Sequence, residues 1–130
     1  MQIIDLRSDT VTLPSQEMRR AMSEAELGDD DRGEDPTVNR LEVMAAEMLG
    51  KESAVLVSSG TQGNLVAILS HAQRGDEIIV GERSHIFRAE GGGASALGGV
   101  SYHVLKNDQR GMLNPIEIEK AIRDPNNVHH

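Results

Sequence analysis

The sequence contains no cysteine, which excludes disulfides, thiolate metal sites and a thiol nucleophile and suits a reducing compartment. Basic residues are in deficit: 13 Lys and Arg stand against 21 Asp and Glu, for a formal net charge of −8. This balance argues against a nucleic-acid backbone or an anionic membrane surface as main partner, because both select clustered cations. A long apolar run is also missing at the amino end. The opening MQIIDLRSDTVT mixes acidic and basic residues, so it reads as neither a signal peptide nor a membrane anchor. There is no Gly-Lys-Ser/Thr loop, no GxGxxG spacing, no internal repeat and no low-complexity tract, so the nucleotide P-loop and Rossmann fingerprints are both absent. What remains is an acidic chain of 130 residues, expected to be soluble and cytoplasmic and large enough for one domain or part of one.

Periodicity supplies the elements. Pro14 suits a first helical position, with Met18, Met22, Ala25 and Leu27 on one face of a helix running to Gly28. After a polar loop, Asp35 is placed to cap a second helix. Pro36 opens it, Val38, Leu41, Ala45, Met48 and Leu49 line it, and Gly50 stops it. AVLV (54–57), EIIV (77–80) and VSYHVL (100–105) read as strands, the first two apolar throughout, as in a parallel sheet covered on both faces. A helix from Thr61 closed by Gly75 joins the first two strands; helical turns in SHIFRAEGGGASALGG join the last two; Asn114 and Pro115 open a final helix. Strand and helix alternate as in an open α/β sheet. After DPNNVHH the alternation asks for another strand, and three buried parallel strands leave an uncovered edge. The expectation is the front part of a larger protein, an incomplete domain prone to self-association, with a complete small three-layer domain as the alternative.

SSGTQGN (58–64) joins the first strand to its helix. Amides of Gly60, Thr61 and Gln62 at a first helical turn can bind a phosphate or carboxylate, helped by the Ser59 and Thr61 hydroxyls. An ordinary tight turn explains the same residues equally well. His85 falls just past the second strand, on the same carboxyl edge of the sheet, where open α/β sheets bind ligands. A histidine there can stack on a flat ligand or exchange protons; a solvent-facing loop histidine is the plain alternative.

Five blocks in order, IDLRSDTVTLPSQEM, DDDRGEDPTVNRLE, SSGTQGNLVAILSH, VGERSHIF and EGGGASALGG, resemble the amino-terminal portion of low-specificity L-threonine aldolases. These belong to the β-eliminating lyase group of fold type I pyridoxal-phosphate enzymes. The resemblance implies the first part of that fold's α/β large domain over residues 36–130, preceded by an arm, helix and loop over 1–35. It implies pyridoxal 5'-phosphate as cofactor, its phosphate at Ser59, Gly60 and Thr61, and His85 stacked on its ring and available for acid-base steps. Ser8 matches a serine that helps hold the substrate carboxylate, although a turn or cap serine would look the same. His129 falls where relatives carry a histidine proposed to assist proton transfer.

The implied reaction is cleavage of a β-hydroxy-α-amino acid, such as L-threonine or L-allo-threonine, into glycine and an aldehyde by a homodimer or homotetramer. That chemistry needs a lysine to hold the cofactor, an acid for the ring nitrogen and an arginine for the carboxylate. None can be assigned: Lys51, Lys106 and Lys120 all read as surface lysines. This chain alone is therefore expected to be inactive. One departure from many relatives is Arg32, where they carry tyrosine in a loop reaching a neighbouring subunit; it also reads as a solvated partner for Asp29 to Asp31. Two other readings stay open, another fold type I lyase or aminotransferase, and a non-catalytic domain binding a phosphate ligand or a partner protein.

Overall fold

The computed structural model describes residues 4–124 and Asn126. The chain divides into two compact units, Met1–Leu56 and Val57–His130. In the first, a 3-10 turn over Asp9–Val11 precedes α1, Gln16–Ser23. Ser15, rather than Pro14, starts this helix: its hydroxyl accepts the Met18 amide at 3.2 Å. The helix also stops at Ser23, short of the expected Gly28. The reason is long-range. Thr37 donates its hydroxyl to the Glu26 carbonyl at 2.6 Å and the Asp35 carboxylate accepts the Gly28 amide at 3.0 Å, so residues 26–28 bond to the next helix and not to the previous turn. Glycine is required at 28 because a Cβ there would lie 2.2 Å from the Glu34 carbonyl oxygen.

The second helix is as anticipated. α2 spans Pro36–Leu49, with Asp35 accepting the Thr37 and Val38 amides at 2.9 Å each, and Gly50 ending it at φ 60°. Those amides, Val38 first and then Gly28, hold the Asp35 carboxyl below the usual carboxylate range. Among the described residues of this unit, Asp35 and Ala46 are buried.

The expected strand at 54–57 does not form. Val55 and Leu56 are exposed, and the Leu56 amide donates to the Glu42 carboxylate at 2.7 Å. A strand exists only through its ladder, and among the described residues no neighbour pairs with this segment.

In the second unit α3 (Gly60–His71), β1 (Glu77–Gly81), α4 (His85–Arg88), α5 (Gly93–Ala96), β2 (Ser101–Leu105) and α6 (Pro115–Ala121) follow in order. β1 and β2 pair in parallel, Glu77 opposite Ser101 through Gly81 opposite Leu105, so the α/β alternation of the sequence appears as a parallel sheet with helices. α3 ends at His71 rather than at Gly75: Ala72 turns extended, and the Asp76 carboxylate takes the Gln73 amide at 2.8 Å. α6 begins as expected, Asn114 accepting the Ile116 amide at 3.0 Å ahead of Pro115. Val80, Ala94, Val100 and Ala121 form the buried apolar set. Beside it, Arg123 grips Glu77 with two bonds of 3.0 Å, tying the residues after α6 to the start of β1. The guanidinium, aided by His103, holds the Glu77 carboxyl low. No helix among the described residues is long and apolar enough to cross a membrane.

Candidate functional site

The turn into α3 is built locally. Ser59 stays extended at φ −160° and caps the helix, its Oγ accepting the Gln62 amide at 3.1 Å. Gln62 reaches back, its Oε1 accepting from the Ser58 amide at 2.7 Å and the Ser58 hydroxyl at 2.8 Å. Ser59-x-x-Gln62 is thus a variant of the capping box, a signal readable in the sequence. One expectation changes: the Gln62 amide is consumed by the cap. Gly60 and Thr61 retain backbone amides without a partner among the described residues, and a Cβ on Gly60 would meet nothing within 4 Å. Two free amides, two hydroxyls and open space above a 12-residue helix suit an anion of phosphate size, with the helix dipole behind it.

His85 sits just beyond the carboxyl end of β1. The ladder runs one residue past the strand, Glu82 donating to the Leu105 carbonyl at 2.7 Å. The chain then turns sharply, the Ser84 amide and hydroxyl both bonding the Gly81 carbonyl at 3.0 and 2.7 Å. Asn107 braces the turn from beyond β2: its Oδ1 accepts the Arg83 amide at 2.9 Å and its Nδ2 donates to the Gly111 carbonyl at 2.8 Å. The single turn of α4 is seated on β2 by the Tyr102 hydroxyl, which donates to the Ile86 carbonyl at 3.2 Å, and by Phe87 set edge-on to Tyr102 at 5.7 Å.

The His85 ring does not stand alone. Its Nδ1 lies 2.7 Å from Oε1 of Glu90, and the same oxygen accepts from Nδ2 of Asn64 on α3 at 2.6 Å. The Glu90 side chain is 5% exposed and that of His85 67%, so a buried carboxylate holds a histidine that faces solvent. These bonds, His85 first and Asn64 second, keep the Glu90 carboxyl below the usual range. Gly91 and Gly92, both at positive φ (61° and 71°), let the chain turn away directly after Glu90. Sequence reading singled out His85 and missed Glu90 and Asn64, which are 26 residues apart and share no motif.

The remaining expected site residues fall elsewhere. Ser8 belongs to the first unit, where it caps the 3-10 turn by accepting from the Thr10 amide and hydroxyl at 3.2 and 2.9 Å. His129 lies outside the described residues. Lys51, Lys106 and Lys120 are exposed, and Lys120 pairs with Glu117 at 2.9 Å. Arg32 lies 3.6 Å from Asp29, both exposed, as a solvated pair would. Among the described residues no group of three or more His, Asp or Glu side chains is arranged to hold a metal ion.

A parallel α/β sheet flanked by a helix start with unengaged amides and a braced histidine just past β1 is an arrangement that open α/β sheets use for ligand binding. Comparison with known proteins makes the class specific: residues 5–130 match the family model described as Beta-eliminating lyase, and the chain belongs to that family. It is 50% identical over 96% of its length to low-specificity L-threonine aldolase 1 of Arabidopsis thaliana, covering 35% of that protein. It is 47% identical over 98% of its length to low specificity L-threonine aldolase of Escherichia coli K12, covering 38% of it. An uncharacterised protein of Caenorhabditis elegans is 56% identical over 92% of this chain, which covers 29% of that relative. The chain thus spans about a third of the length of the curated relatives it matches and corresponds to the amino-terminal portion of the aldolases.

Proposed function

We propose that this chain is the amino-terminal part of a cytoplasmic, homo-oligomeric low-specificity L-threonine aldolase, which cleaves L-threonine or L-allo-threonine to glycine and acetaldehyde. The observation that supports it best is the open first turn of α3, with the Gly60 and Thr61 amides unengaged and His85 tied to the same helix through Glu90 and Asn64. The residues present fit pyridoxal 5'-phosphate: the amides of Gly60 and Thr61 and the hydroxyls of Ser59 and Thr61 would hold its phosphate, and His85 would face its ring. When bound, that group supplies the electron sink for breaking a bond at the amino acid's α-carbon. Within this chain, Ser8 contributes a hydroxyl to the substrate carboxylate, and His85 and His129 supply imidazoles for acid-base steps.

The three exposed lysines leave no candidate here for the residue that anchors the cofactor covalently, so the 130-residue chain is inactive by itself. The test compares it with the full-length protein, each supplied with pyridoxal phosphate and L-threonine, following acetaldehyde and glycine. Product from the full-length protein alone is the expected result. Absence of aldehyde from the full-length protein would overturn the aldolase reading, and product from the short chain would overturn the claim that its catalytic set is incomplete.

A further inference from the structure

A carboxylate that is 95% removed from solvent at its side chain needs partners, because an unpaired buried charge is costly. Glu90 has two, and both bond one oxygen: Asn64 Nδ2 at 2.6 Å and His85 Nδ1 at 2.7 Å. An ionised carboxylate only accepts hydrogen bonds. The hydrogen between Glu90 and His85 therefore belongs to Nδ1, and the neutral ring carries its lone pair on Nε2. Asn64 fixes the carboxylate from the side, in the turn of α3 that follows Gly60 and Thr61. Two consequences follow from this geometry. The ring cannot spin or exchange tautomers without breaking a short bond to a buried charge, and its orientation is tied mechanically to the helix whose first turn offers the free amides.

We propose that Glu90, anchored by Asn64, is the positioning residue that holds His85 in the Nδ1–H form with Nε2 directed to a bound ligand. It acts through His85, as the buried aspartate of a hydrolase triad acts through its histidine. The proposal rests on reading His85 as the residue that meets cofactor or substrate, and its test is separable from that reading.

The full-length protein is labelled with ¹⁵N-histidine, freed of cofactor, and the His85 signals are assigned with an H85Q variant. Two-bond couplings then report which ring nitrogen carries hydrogen. In wild type with the ring neutral, the Nδ1–H form dominates. E90Q keeps an acceptor oxygen in place and preserves that form. E90L removes the acceptor and lets the ring pass to the mixture of a free imidazole. N64A falls between wild type and E90L. In the loaded protein, E90L lowers kcat for aldehyde release by about tenfold or more, the scale of a misplaced acid-base group, and E90Q restores most of it.

A wild-type His85 that is mainly Nε2–H overturns the proposal whatever the variants do, which covers the case of an E90L protein that does not fold. E90L indistinguishable from wild type overturns it as well, and N64A identical to wild type overturns the part given to Asn64. The tautomer result stands even if the full-length protein releases no aldehyde; a wrong tautomer in an active aldolase removes this inference alone.

Discussion

Gly60 has no conformational need to be glycine. Its φ is not positive, and a Cβ would enter open space; the residue matters for what it leaves empty. Gly60→Val is therefore expected to fold, with a stability change within about 0.5 kcal/mol, the helix-propensity difference of an exposed position. It should weaken pyridoxal phosphate binding by about tenfold or more in the full-length protein, or roughly 1.4 kcal/mol. An absorbance titration of wild type and variant checks this, and equal affinities would show that the turn does not receive the phosphate. The turn and His85 could be singled out because local signals mark them, Ser59 capping the helix that follows it and His85 coming just after the apolar run of β1. Glu90 was not: a glutamate before three glycines looks like any surface loop residue until Asn64 and His85 are seen to converge on it.

At the scale of elements, α2 was read nearly to the residue because its signals are local: Asp35, Pro36 and Gly50 act on amides and carbonyls within one turn. α1 was misjudged at both ends: its start is set by the Ser15 cap one residue after Pro14, and its end by bonds reaching across from the start of α2. Asp35 joins the two, and its charge makes the junction sensitive to pH. A carboxyl whose folded pKa is depressed binds fewer protons folded than unfolded, so it stabilises fully above an unfolded value of about 4 and loses that contribution as pH falls through the folded one. Asp35→Ala is expected to lower the melting temperature clearly at pH 7 and much less at pH 3. Thermal unfolding of both proteins across that range checks it, and an equal deficit at the two pH values would mean that the carboxylate charge plays no part. The packing counterpart lies in the second unit, where Val100 is 1% exposed. Val100→Ala should cost about 2 kcal/mol from lost burial and the remaining cavity, measurable by urea unfolding of the full-length protein.

At the scale of the whole molecule, burial is sparse among the described residues. The described sheet has two strands, and a parallel pair is ordinarily sheltered by neighbours on both edges and faces. An open cleft of about 680 Å³ beside β1 is lined by Ile68, Ile78, Ile86 and Ile122, while Met18 and Met22 of α1 are 58% and 62% exposed. Unpaired edges and apolar surface of this kind associate. The isolated chain should therefore self-associate in light scattering as concentration rises. A strict monomer over a wide range would count against the uncovered-edge argument.

Caps, turns and the alternation of strand with helix followed from residue order, since each depends on groups a few positions apart, and the ordered motif blocks carried the family with them. Pairing did not follow. AVLV at 54–57 has the composition of a strand, yet composition supplies no ladder, and its Leu56 amide bonds a helix side chain instead. The bridge from Asn64 through Glu90 to His85 is equally beyond residue order. It exists because α3 and the turn after β1 meet in space, where a buried carboxylate must be satisfied by whatever donors the fold brings to it.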